Sequence, residues 1–235
     1  MNPKDTAAQA KPKEAVRFSE KISNLIRTNR TLLAVLGVSL VIIVLAIGIV
    51  SYVQNDRLVK STLALENLEA AFDEWSSAEG DDKSEQAQNV ITNATALRSS
   101  YPKSYAALRS GIIEARIYFE RGDFAEAEAT FSNVANTNPQ SHLAPTALGN
   151  AAAMAEERGD SEKALEYLIK LVDTYPEAPG MGRSLFSIGR LYEEARQFDK
   201  AIVFYLRLSA IASETDWTKL AQSRIIHLKS LGMVP

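Results

Sequence analysis

The chain has 235 residues, a formal net charge of −3, 46% hydrophobic and 23% charged residues, two histidines and no cysteine. Lacking thiols, it excludes disulfides, thiol catalysis, thiolate metal sites and a lipid anchor on cysteine. The compartment stays open, because an oxidising space does not require disulfides.

The first twelve residues are rich in Ala, Gln, Lys and Pro and read as a disordered tail (1–12). Over 13–30, Phe18, Ile22, Leu25 and Ile26 recur at helical spacing among cationic residues. That pattern predicts a basic juxtamembrane amphipathic helix on an anionic lipid surface, or a plain basic flank that sets topology. Residues 32–53 follow, Leu32 to Val53, 22 residues without a charge. At about 1.5 Å per residue such a helix covers about 33 Å and crosses a hydrocarbon core once. Residues 1–30 carry seven Lys/Arg against three acids, and subtracting that +4 from the chain's −3 leaves −7 for the rest. The basic end is therefore expected in the cytoplasm and the acidic body outside it. A cleaved signal peptide is the rival reading, with Ala46-Ile47-Gly48 as a small-x-small site. Its apolar core would normally run only about 7–15 residues after a short basic region.

Residues 57–102 predict one helical hairpin. Leu65, Leu68, Phe72 and Trp75 mark the apolar face of its first helix, Gly80-Asp81-Asp82 its turn, and Val90, Ala94 and Leu97 its second helix. Over 103–212 a fixed period appears. Pro102, Pro139 and Pro176 are 37 residues apart, as are Gly122 and Gly159, and Ala127, Ala164 and Ala201. One unit carries Ala115, Tyr118, Gly122, Phe124, Ala127, Phe131 and Pro139, and the next Ala152, Ala155, Gly159, Ala164, Leu168 and Pro176. A third has Gly189, Tyr192, Phe198, Ala201, Tyr205 and Leu208, with Arg196-Gln197 where the earlier units have Gly-Asp, so its turn must close without glycine. Over 214–235, Trp217, Leu220, Ala221, Arg224, Ile225 and Leu228 form a helical stripe that reads as a capping helix with a polar outer face, or one that packs on a second copy.

This arrangement resembles the tetratricopeptide repeat (TPR): a small residue and an aromatic on the first helix, a Gly-Asp-like turn such as Arg121-Gly122-Asp123 or Arg158-Gly159-Asp160, then Ala, an aromatic and a closing Pro. The usual period is about 34, so these units are longer. The resemblance implies an all-α fold, a TPR-like α-solenoid of three to four hairpins with a capping helix, behind a single transmembrane helix.

Catalysis is not expected. His142 and His227 lie in different units without ligand spacing, and Asp81/Asp82 and Glu156/Glu157 read as solvated pairs. The glycines of Pro176–Gly182 follow a helix rather than a strand and read as a connector. No cofactor or metal is expected. The acidic body without a basic, aromatic-interleaved stripe argues against nucleic acid.

Protein recognition remains. In TPR geometry the first helices line the concave surface. By spacing, Arg109, Ile112, Arg116 and Phe119 would lie beside Thr146, Gly149, Ala153 and Glu156, and then Arg183, Phe186, Arg190 and Glu193. The expectation is a peptide trough with Phe119 and Phe186 as apolar anchors and the arginines pairing acidic groups or a C-terminal carboxylate. The alternative is that these residues pair with Glu120, Glu193 and Glu194 or pack between layers. In layout the chain is similar to the single-span TPR accessory subunit of the bacterial Sec translocon. That resemblance implies an inner-membrane protein with a cytoplasmic N-terminus, a periplasmic body and exported proteins or chaperones as partners. The competing role is a scaffold subunit of an envelope machine, such as a flagellar motor collar or secretion apparatus, with copies joined through terminal helices.

Overall fold

The computed structural model describes residues 21, 23–79, 83–211 and 215–234. The proposed tail over 1–12, half of the juxtamembrane stretch and the Gly80-Asp81-Asp82 turn lie outside the described residues. Within that stretch, residues 23–28 are helical. Among the described residues every regular element is a helix. Two compact units are defined, Met1–Arg57 and Leu58–Pro235.

The first unit holds the start of α1 (Arg30–Ser77), and the run from Leu32 to Val53 presents its Leu, Ile and Val side chains unburied. Such a helix is long and apolar enough to cross a membrane. The second unit begins where α1 turns amphipathic: Ser61, Leu65, Leu68, Phe72 and Trp75, spaced by three and four, are buried on one stripe. They face α2 (Lys83–Ser100), which contributes Ala87, Val90, Ile91, Ala94 and Leu97. The indole Nε1 of Trp75 donates to the carbonyl of Lys83 at 3.1 Å, fastening the hairpin at its turn.

Three further hairpins follow: α3 (Tyr105–Glu120) with α4 (Phe124–Thr137), α5 (Leu143–Glu157) with α6 (Ser161–Thr174), and α7 (Met181–Glu194) with α8 (Phe198–Ile211). A lone helix, α9 (Asp216–Ser230), packs on α7 and α8. Ala127, Ala164 and Ala201 are fully buried where the two helices of each hairpin meet. The facing sizes are matched. A Cβ built on Gly189 would lie 2.4 Å from the ring of Tyr205, so the largest knob sits opposite the smallest hole.

The three turns share one backbone. Gly122 and Gly159 have φ of 77° and 76°, and the next residue's N–H donates back to Tyr118 and Ala155, each at 2.8 Å. That is the left-handed closure of a helix C-terminus. In the third hairpin Arg196 takes the same conformation at φ 57°, and Gln197 donates to Tyr192 at 2.8 Å. The turn closes without glycine, as expected, by placing an arginine in the left-handed region. One period beyond Ala115, Ala152 and Gly189 stands Ile226 of α9, 69% exposed.

Candidate protein-binding surface

The first helices α3, α5 and α7 carry the proposed trough residues, and the structure sorts these into distinct settings. Ile112 is corrected: it is 6% exposed and belongs to the core. α3 lies between its own partner α4 and the preceding hairpin and buries ten of its sixteen residues, which leaves it a narrow solvent strip. On that strip, Arg109 Nε donates to Glu69 Oε1 of α1 at 2.8 Å, and the Arg116 guanidinium lies 4.9 Å from the centre of the Phe72 ring. Phe119 is 44% exposed and leans on Phe124.

The next stretch is a cleft of about 170 Å³ between α5, α6 and the start of α7. Thr146, Gly149, Asn150 and Ala153 line one side, and Arg183 and Ser187 the other. Small side chains on α5 keep this cleft open. Glu156 sits at its rim and is ion-paired with Arg190, which also donates to Glu194 at 2.7 Å. Burial works against the Arg190 charge, and the hydrogen bonds it donates to Glu156 and Glu194, with their negative charges, outweigh it, so its pKa is raised. Arg183, by contrast, has no acidic partner among the described residues.

Phe186 is not a free anchor. Its ring packs in tilted contact with both Tyr205 and Trp217, each centroid 5.6 Å away. Glu193 accepts from Tyr205 Oη at 3.0 Å and from Arg224 Nε of α9 at 3.1 Å. Burial pushes the Glu193 carboxyl up, and the hydrogen bonds from Arg224 and Tyr205 with the Arg224 charge overcome it, holding it below its ordinary value. Burial likewise raises the Tyr205 phenol, with Glu193 adding to the effect.

Thus Arg109, Arg190 and Glu193 are tied within the stack, Arg116 and Phe186 rest on aromatic rings, and Glu156 and Arg183 flank the cleft. Sequence reasoning did not name Glu69, and it placed Phe72, Trp217 and Arg224 on helical stripes of the first hairpin and the last helix without pairing them to first-helix residues.

Nested antiparallel hairpins with a first-helix cleft define an α-solenoid built for contact with other polypeptides. A family model described as a tetratricopeptide repeat-like domain matches residues 26–175, and a tetratricopeptide repeat model matches 142–214. The chain belongs to the tetratricopeptide-repeat family. A TPR repeat-containing protein of Treponema pallidum (strain Nichols) is 31% identical over 120 residues, 50% of this chain and 49% of that protein. The chain therefore spans about half the length of that relative. Among solved structures, a Podospora anserina protein of nearly identical TPR-like repeats matches with a TM-score of 0.53 at 16% identity, covering 72% of this chain and 88% of that one. The apo form of RapI matches with a TM-score of 0.54 at 11% identity over 71% of this chain and 47% of its own. Both likenesses concern the fold.

Proposed function

We propose that this protein is a membrane-anchored TPR adaptor that binds exported polypeptides at the α5–α7 cleft, outside the cytoplasm. The observation that carries the reading is the cleft itself: small residues Thr146, Gly149 and Ala153 open it, and Arg183 stands there without a carboxylate partner among the described residues. A polypeptide with an acidic side chain or terminus satisfies that guanidinium, while Asn150 and Ser187 can meet its backbone. Anchoring is supported by the unburied apolar run of α1, which the family match includes, and orientation by the +4 charge of residues 1–30.

A photocrosslinker at Thr146 in living cells tests the proposal. Exported chains are expected among the adducts, and Arg183→Glu is expected to reduce them about fivefold or more, the loss of one charge-assisted contact plus repulsion. Unchanged adducts with Arg183→Glu would rule this reading out.

The scaffold role has a specific observation in its favour. Val203 and Leu206 of α8 and Leu220 and Ile226 of α9 are exposed apolar residues near the end of the solenoid. A scaffold would show one saturating contact through them, whereas an adaptor crosslinks to many clients.

A further inference from the structure

The second helices carry a feature that the first-helix reading does not use. Between later hairpins they are strutted together. Lys170 of α6 reaches Asn136 of α4 at 2.8 Å, and Arg207 of α8 reaches Asp173 of α6 at 3.3 Å and the carbonyl of Val172 at 3.1 Å. Tyr175 adds a bond from its hydroxyl to the carbonyl of Pro139 at 2.9 Å. One period earlier the same positions hold Asn133 opposite Ser99, two side chains too short to bridge, and Asn138 in place of the tyrosine. Both Asn133 and Ser99 instead line an open groove of about 520 Å³ between α2 and α4.

This groove has a floor of Ala107, Leu108 and Val134, and its charged lining is cationic: Arg98 and Lys103, with no acid on its walls. Arg98 is held from behind by the buried Glu114. Lys103 has no ion-pair partner among the described residues and sits at φ 64°. Its φ belongs to the turn that Pro102 opens and the Ser104 N–H closes on the Tyr101 carbonyl at 3.2 Å, and that turn sets Lys103 at the border of the groove.

We infer that the α2–α4 groove is a second polypeptide site, taking an extended segment in which an aliphatic residue lies beside a carboxylate. The volume falls in the range of ligand sites, about 300–1,000 Å³. Its polar groups do not converge as they do around a small molecule. Ser99 on one wall and Thr130, Asn133 and Thr137 on the other are strung along two helical turns, about 10 Å, the reach of about three extended residues. Ser99 and Thr137, whose hydroxyls donate within their own helices, can accept from backbone N–H groups, and Asn133 and Thr130 can donate to C=O groups; the aliphatic side chain covers Leu108 and Val134, and the carboxylate meets Lys103.

The test uses the full chain in detergent with a short fluorescent peptide carrying a central Glu-Leu-Glu, and its Gln-Leu-Gln counterpart. Saturable binding of the acidic peptide is expected, weakened about tenfold by Lys103→Glu. The double variant Ser99→Asp with Asn133→Lys rebuilds the strut seen at Arg207 and Asp173 and is expected to abolish binding with the helical circular dichroism signal retained. The comparisons are made in an Arg183→Glu background, which removes the first-helix cleft's own contribution to binding of the acidic probe. Should the double variant fail to fold, Lys103→Glu decides. The proposal is overturned by equal binding of the wild type and Lys103→Glu, by no saturable binding, by equal affinity for the uncharged peptide, or by crosslinks from Asn133 that join only two copies of this chain.

Discussion

Arg196 occupies the φ that Gly122 and Gly159 adopt one and two periods earlier, with the same pair of backbone hydrogen bonds. A side chain in that region costs about 1 kcal/mol, and glycine restores the relaxed turn while loosening the unfolded chain by a smaller amount. Arg196→Gly is therefore expected to stabilise the protein by about 0.5 kcal/mol, read as a raised midpoint in urea unfolding with an unchanged slope. A lowered midpoint would mean that the arginine side chain contributes something the turn geometry does not show. The same scale explains the misreading of Ile112. Spacing alone put it in line with Arg109 and Arg116, but α3 is covered by the preceding hairpin on one side and by α4 on the other, and the solvent strip is narrower than one helical face.

At the scale of elements, α9 is fastened to α7 by Arg224 on Glu193, with Tyr205 of α8 on the same carboxylate and Trp217 against Phe186. The depressed Glu193 carboxyl fixes the sign of the pH response: this contribution is complete above the ordinary carboxylate value of 4.5 and is lost as the pH falls below it. In a Trp75→Phe background, Trp217 fluorescence is expected to report loosening of α9 on the acid side, and Glu193→Gln to weaken docking at neutral pH by about 1 kcal/mol. A flat fluorescence profile down to acid unfolding would show that the apolar contacts suffice. The hairpins themselves were legible in the sequence because each is set by local chemistry: proline closes it, a left-handed turn reverses it, and a small residue lets its helices meet. What crosses between hairpins was not legible. Glu69 lies forty residues before Arg109 and Glu193 thirty-one before Arg224, and no local rule pairs them. The proposed trough residues lie on the first helices α3, α5 and α7, and most of their charges are answered within the chain.

For the molecule as a whole, the proposed arrangement places Leu58–Pro235 outside the cytoplasm and the basic end inside it. Protease added to intact spheroplasts is expected to degrade the helical body and to spare a small fragment carrying residues 1–30. Protection of the body would reverse the topology. Another consequence follows from Ile226. At the matching place in each hairpin an Ala or Gly admits the companion helix to near backbone contact, as Gly189 does for Tyr205. A branched side chain at that place in α9 leaves no such opening. An engineer wishing to seat a companion helix against α9 in the manner of α8 on α7 would therefore first replace Ile226 with alanine or glycine.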